Sequence, residues 1–206
     1  PELHWHLDDI VRDLTTEEPL HIVAACMQML WLSVLRFKHF QRSVPVKLTT
    51  HFFHAVCWKG KATPGFRWAC PRWGPTGTDI GGAVWNAWYK CANRTTQTPF
   101  GLLRDASGVT FTLADFTKAS RAVLTQILHM GNAELFTSYS LRRSMPTLAE
   151  IRKAHPDDAD ALGDWTASST SRMRTRYADS KEDSAAIVKL VQLLILQEAA
   201  NNDKPL

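Results

Sequence analysis

The sequence predicts an α+β fold that is mainly helical and contains one small antiparallel sheet. Two apolar segments, 16–37 and 112–130, have the length and residue types of helices. Between them, two short segments rich in aromatic and β-branched residues flank a turn that contains glycine and proline. A chain of 206 residues is long enough for one ordinary domain or two small ones, and it shows no repeat or low-complexity linker. We therefore expect one domain over residues 1–206.

The composition is typical of a water-soluble protein. No apolar run approaches the roughly 20 residues that a membrane helix needs, and the first residues lack the basic and apolar regions of a signal peptide. Cys26, Cys57, Cys70 and Cys91 are far apart and form no Cys-x-x-Cys pair. We therefore expect reduced thiols, no zinc site, no membrane contact, and an intracellular location in the nucleus or cytoplasm.

The charge distribution is more informative than the net charge. A net charge of +4 and an isoelectric point of about 9.0 are compatible with a polyanionic partner but do not identify one. Basic residues cluster in 36–47, 59–72 and 172–176, whereas acidic residues cluster in the first eighteen residues and in 157–160.

The first residues contain a possible metal-binding pattern. His4, His6, Asp8 and Asp9 resemble the His-x-His-x-Asp box of zinc hydrolases. That box follows a buried strand, and no strand precedes it here. We therefore expect a frayed, solvated terminus and no metal site.

The first predicted helix begins near Thr16. A capping residue, two acids and the early Pro19 precede a run that is apolar nearly all round, which predicts a central helix. The end of this helix carries Arg36. An arginine there can satisfy the last helical carbonyl groups.

A β-hairpin follows the first helix. Residues 48–58 and 66–71 have strand character, and 59–65 form the turn. The turn carries Lys59 and Lys61. A lysine beside a phosphate can protonate a leaving alkoxide, although two solvated turn lysines would produce the same sequence.

Three further helices are predicted outside the segment 135–177. The first covers about 83–92, and a loop at 93–108 separates it from the second. Thr112 and Asp115 cap the second helix, and Gly131 ends it. The third spans Glu182–Asn201 and has a broad apolar face. Residues at helical spacing on the second helix are expected in the core, namely Phe116, Ala119, Val123, Ile127 and Met130.

The segment from Leu135 to Tyr177 has the residues needed for phosphoryl transfer. Two arginines open a helix, a Leu-Gly-Asp-Trp turn follows, and an arginine-rich run ends on Tyr177. Arginine binds phosphate through a planar, permanently charged fork. A phenol is a competent nucleophile when a neighbouring base or cation activates it.

These boxes resemble those of the tyrosine recombinases and phage-type integrases. Residues 139–143 resemble the His-x-x-Arg box, 162–165 resemble the Leu-Gly-His turn, and Arg176-Tyr177 resemble the nucleophile. Residues 35–39 resemble the Leu-Arg-x-x-Glu/Asp box that bears the first catalytic arginine, with histidine in place of the acid. Their order and approximate spacing match the family.

The resemblance implies a role for each matched residue. Arg36 and Arg142 would clamp the scissile phosphate, and Lys61, with Lys59 as the alternate, would protonate the leaving 5′ oxygen. Tyr177 would attack the phosphorus and form a 3′-phosphotyrosyl link, which requires neither a metal nor a nucleotide cofactor. Double-stranded DNA is the implied partner, and the expected DNA contacts are Lys59, Arg143, Arg172 and Arg176.

Two positions depart from the family pattern. Tyr139 and Asp164 stand where the family has histidines. Tyr139 and Trp165 can donate hydrogen bonds to a phosphate oxygen, whereas an ionised Asp164 would repel it. The chain is therefore either an active, divergent recombinase or a DNA-binding descendant that no longer cuts. We favour the first because both arginines, the lysine and the nucleophilic tyrosine are present.

The resemblance also implies an architecture. It predicts the catalytic domain of a DNA breaking-rejoining enzyme and no separate helical DNA-clamping domain within residues 1–206. The family's segment after the nucleophile often docks on a neighbouring protomer. We therefore expect self-association on DNA through the helix at 182–201.

Overall fold

The computed structural model describes residues 2–12, 19–59, 65–90, 110–151 and 153. These ranges form a mainly helical α+β structure with one three-stranded antiparallel sheet, so the predicted fold class is confirmed. The recombinase catalytic fold itself stays a prediction. The elements in chain order are α1 (Glu2–Arg12), α2 (Pro19–Ser33), α3 (Phe37–Gln41), β1 (Ser43–Leu48), β2 (Phe52–Cys57), β3 (Phe66–Pro71), α4 (Ile80–Lys90), α5 (Leu113–Ala122) with a π-helical turn (Val123–Ile127), a 3₁₀ turn (Ala133–Leu135) and α6 (Ser138–Ile151).

Helix α2 is the centre of the described structure, as its apolar sequence predicts. Residues 23–32 are all buried, and the helix packs against α1, α4, α5, α6 and β3. It begins at Pro19, where a missing N–H costs nothing. It ends at Ser33, earlier than expected, because Val34 adopts a positive φ of 55° that interrupts the helix. No helix in the described ranges is long and apolar enough to span a membrane.

The prediction of a frayed N-terminus is wrong. Residues 2–12 form helix α1, which packs against α2 and α4. Leu7, Ile10 and Val11 are buried at helical spacing. The interspersed histidines and acids obscured this face in the sequence. Within the described ranges, no group of three or more His, Cys, Asp or Glu residues could hold a metal ion.

The sheet has the order β1-β2-β3. The predicted hairpin is confirmed, because β2 and β3 pair in antiparallel fashion from Phe52–Pro71 to Cys57–Phe66. Strand β1 was not predicted, since Pro45 lies in its middle. Proline is tolerated there because β1 is an edge strand with an irregular register between Pro45 and Lys47.

The helix predicted at 83–92 begins earlier, at Ile80. Gly81 and Gly82 precede the predicted start, but both lie in the first turn of α4. The Asp79 carboxylate accepts a hydrogen bond of 2.8 Å from the Gly82 N–H, which satisfies a donor of that turn. The loop predicted at 93–108 and the helix predicted at 182–201 lie outside the described residues.

The predicted capping box of α5 is confirmed: Thr112 and Asp115 bond to each other's backbone N–H groups. Four of the five predicted core residues lie in or against the core, whereas Met130 is 41% exposed. That prediction assumed a regular α-helix up to Met130. The π-helical turn from Val123 adds a residue and rotates the following positions, and the helix ends before Met130.

Candidate functional site

The end of the sheet that carries the β2–β3 turn is joined to helix α3. The His39 and Phe66 rings meet edge to face, with centroids 5.4 Å apart. The Trp58 N–H donates to the Arg42 carbonyl at 3.3 Å, and the Arg42 guanidinium donates to the Lys59 carbonyl at 3.5 Å. Both ends of the turn are therefore held by α3 and the residue that follows it.

Arg36 lies directly before α3 and at the same end of the domain. Its carbonyl accepts hydrogen bonds from the N–H groups of His39 and Phe40, at 2.9 and 3.1 Å. Its side chain is exposed. Arg36 therefore begins α3 and does not end α2, so the alternative to its catalytic role, capping of the last carbonyl groups of the first helix, is wrong.

This end of the domain is basic. Arg36, Lys38, Lys59 and Arg67 are exposed, and Arg42 is half-buried. The segment from 19 to 78 contains eight lysines and arginines and no aspartate or glutamate. A run of cations without acids creates a positive potential that attracts polyanions. This acid-free stretch is visible in the sequence, and it extends well beyond the separate basic clusters at 36–47 and 59–72.

The two predicted arginines of helix α6, Arg142 and Arg143, have different exposure to solvent. Arg142 is buried, with 5% of its surface exposed, and it lies between the buried residues Leu141 and Met145 along the helix. Arg143 is exposed, and its guanidinium lies 5.9 Å from the centre of the Tyr139 ring. Tyr139 is 54% exposed. The structure therefore brings Tyr139 together with Arg143 on the outer side of α6.

The burial of Arg142 affects what it could bind. A cation removed from water needs an anion or several acceptors nearby. A phosphate bound to Arg142 would itself be largely removed from water, which strengthens the charge interaction. By contrast, a phosphate at the surface could contact Arg143 directly.

The remaining predicted site residues lie outside the described residues, namely Lys61, Trp165, Arg172, Arg176 and Tyr177. The convergence of Arg36, Lys61 and Arg142 on one phosphate stays a prediction. Comparisons of this chain with family models, with curated proteins and with solved structures find no match.

The opposite end of the sheet is fixed by an ion pair. The Arg72 guanidinium donates two hydrogen bonds to Asp79, at 2.7 and 2.5 Å, and one to the Thr49 carbonyl at 3.0 Å. It also lies 5.1 Å from the centre of the Trp73 ring. The hydrogen bond with Asp79 raises the pKa of Arg72. Its charge is therefore largely neutralised by Asp79 and contributes little to the basic surface.

A buried carboxylate joins α1 to the segment between β3 and α4. Asp8 has no exposed surface, and it accepts hydrogen bonds from the Gln28 amide at 2.5 Å and from the Thr76 N–H and hydroxyl at 3.0 and 2.9 Å. Burial raises the pKa of Asp8 to about 6, against the lowering effect of these hydrogen bonds. The sequence did not predict this cluster, because Asp8 was expected in a solvated terminus.

Proposed function

We propose that this chain is a tyrosine-recombinase-like enzyme that cleaves and rejoins DNA strands through a 3′-phosphotyrosyl intermediate. The observation that supports this most directly is the contact of α3 and Arg42, the residue that follows it, with both ends of the β2–β3 turn. Those contacts place Lys59 and Phe66, the described residues on either side of the segment that contains Lys61 in the sequence, at the same end of the structure as Arg36. Arg36 and Lys61 are two of the residues that the chemistry requires, and they lie 25 positions apart in the sequence.

The proposed reaction is a transesterification with balanced proton transfer. The Tyr177 oxygen attacks the scissile phosphorus, a Tyr–O–P bond forms, and the bond between phosphorus and the 5′ oxygen breaks. The phenol gives its proton to solvent water, the 5′ oxygen gains one from Lys61, and the lysine is reprotonated from solvent. Arg36 and Arg142 stabilise the charge that develops on the non-bridging oxygens. The energy of the phosphodiester is kept in the protein–DNA bond, so the rejoining step needs no energy source.

A nicked suicide DNA duplex tests this proposal. When cleavage releases a short downstream fragment that carries the new 5′ hydroxyl, religation is prevented and the covalent adduct accumulates as a slower band on a denaturing gel. We expect an adduct with the unmodified chain and none with Tyr177→Phe, with DNA affinity within a few-fold. Arg142→Ala is expected to weaken both, since it removes a phosphate ligand.

Two matched variants make this assay more specific. Lys61→Ala is expected to reduce adduct formation more than Lys59→Ala, because only the first removes the proposed proton donor. Tyr139→Phe keeps the aromatic ring beside Arg143 but removes the proposed hydroxyl donor to the phosphate, so it is expected to lower adduct formation without abolishing it. If Tyr177→Phe still formed the adduct while Tyr139→Phe did not, the nucleophile would be Tyr139.

One observation favours a second candidate function, a DNA-binding protein without cleavage activity. Tyr139 occupies the position of a catalytic histidine, yet it pairs with Arg143 on the exposed side of α6, away from the buried Arg142. Under this alternative the unmodified chain binds duplex DNA and forms no adduct, and Tyr177→Phe changes nothing measurable.

A further inference from the structure

One face of the sheet packs against helices, and the opposite, outer face is fully buried at Val44 but half-buried or exposed around His54. On the covered side, Phe53 meets Trp85 of α4 with ring centroids 6.3 Å apart. Along β2, buried residues alternate with half-buried ones. Since successive side chains of a strand point to opposite faces, this alternation assigns Phe52, His54 and Val56 to the outer face.

The register of the sheet adds two cations to this outer face. Lys47 lies opposite His54, and Arg67 lies opposite Val56. Residues directly opposite in an antiparallel pair share one face, with Cβ atoms about 5 Å apart. Lys47 and Arg67 are both exposed. From the spacing of strands and residues, their Cα atoms lie about 12 Å apart along a diagonal.

His54 lies between these two cations. It faces Lys47 on β1 and the uncharged Ala69 on β3, while Arg67 lies on the diagonal. On its own strand, the Phe52 ring meets it edge to face with centroids 6.1 Å apart. Burial and the charge of Lys47 both lower the pKa of His54. An anion placed across this face would have the opposite effect and would favour the protonated imidazole.

We propose that this outer basic face, made of Lys47, His54 and Arg67, binds the phosphate backbone of duplex DNA, and that His54 takes up a proton when it does so. The surface follows from the sheet register, whereas the choice of DNA rests on the proposed function. Arg67 directly follows Phe66, which contacts α3 at the basic end of the sheet. A duplex held at that end can therefore continue along the outer basic face.

Two measurable properties follow from this arrangement. Each phosphate neutralised by a cation contributes about 0.9 to the slope of log affinity against log salt concentration. Backbone contacts carry no sequence information, so loss of one weakens binding equally on different DNA sequences. Because the complex holds one more proton than the free protein, DNA affinity rises as the pH falls.

The test is fluorescence anisotropy with two unrelated duplexes in the Tyr177→Phe background, at several salt concentrations and between about pH 5.5 and 8. In this background no covalent product forms, so the binding measurement does not depend on the proposed chemistry. We expect Lys47→Ala and Arg67→Ala each to reduce the salt slope by about 1. We expect DNA affinity to rise by roughly three-fold or more as the pH falls from about 7.5 to 5.5, within the limit of about tenfold per pH unit that one linked proton allows. We expect His54→Gln to abolish most of that rise.

Matched controls are available on α5 and just after it. Lys118→Ala removes an exposed lysine of the helix, and His129→Gln removes an exposed histidine that follows it. Neither is expected to change the salt slope or the pH dependence. Thermal unfolding of each variant establishes that the exposed substitutions leave the fold intact.

Three results would overturn the inference. One is a salt slope that Lys118→Ala lowers as much as Lys47→Ala and Arg67→Ala do. Another is a pH dependence that persists in His54→Gln. The third is binding to anionic phospholipid vesicles with no binding to either duplex, which would assign the face to a membrane surface. Absence of the suicide-substrate adduct in the unmodified chain would refute the proposed chemistry and leave these results unchanged.

Discussion

The buried carboxylate of Asp8 makes the stability of the protein depend on pH. Its pKa is about 6 in the folded state and 3.8 as an ordinary side chain, and burial is the main cause. The folded state therefore keeps a proton between about pH 4 and 6 that the unfolded state has already lost. The contribution of Asp8 to the free energy of unfolding is largest below the unfolded pKa, declines as the pH rises through about 6, and is constant above that.

The size of this effect follows from the two pKa values. They differ by about 2 pH units, and each unit corresponds to about 1.4 kcal/mol, so ionisation of Asp8 lowers the free energy of unfolding by about 3 kcal/mol. Asp8→Asn removes the ionisation and keeps the shape of the side chain. Its amide cannot accept every hydrogen bond that Gln28 and Thr76 donate, which imposes a cost that does not depend on pH.

The assay is urea unfolding followed by tryptophan fluorescence for the unmodified chain and Asp8→Asn. At each pH we subtract the free energy of unfolding of the unmodified chain from that of Asp8→Asn. We expect this difference to be up to about 3 kcal/mol larger at about pH 7.5 than at about pH 4. Asp9→Asn removes a neighbouring carboxylate that is exposed and controls for the loss of one charge. If the free energies of unfolding of Asp8→Asn and the unmodified chain differed by the same amount at both pH values, burial would not raise the pKa of Asp8.

Two further predictions concern local backbone structure and are measured by the same unfolding assay. Thr112→Ala removes the capping box with Asp115 and should lower the free energy of unfolding by roughly 1 kcal/mol. The control is Thr125→Ala, which loses only a hydroxyl that donates to the Arg121 carbonyl within the helix, and it should lower the free energy of unfolding by less. Equal losses in the two variants would contradict the capping role of Thr112. His129 is exposed at a φ of 51°, so His129→Gly should raise the free energy of unfolding by up to about 1 kcal/mol. His129→Ala keeps the strain, and a glycine variant less stable than the alanine variant would contradict this prediction.

The elements that the sequence predicted correctly are those with a strong local pattern. Helix α2 is apolar on all sides, and no other position than the centre of the fold allows all of its faces to be buried. The capping box of Thr112 and Asp115 satisfies donors within one helical turn, so its geometry depends on four consecutive residues. The β2–β3 hairpin joins two segments of strand character through a short turn.

Features that depend on distant residues could not be predicted from the sequence. Helix α1 has only a narrow apolar face, and that face is stable because α2 and α4 cover it. Asp8 accepts hydrogen bonds from Gln28 and Thr76, which lie 20 and 68 positions away. Strand β1 contains Pro45, which only its place at the sheet edge makes acceptable.

The same division holds for the candidate site. By itself, the sequence determined the residue types that phosphoryl transfer requires, their order, and the absence of acids from 19 to 78. Only the tertiary structure decided that α3 and Arg42 hold the ends of the β2–β3 turn, that Arg142 is buried, and that Tyr139 lies with Arg143. The physical reason is that residue type sets charge and nucleophilicity, whereas exposure and neighbours are set by the packing of segments far apart in the chain.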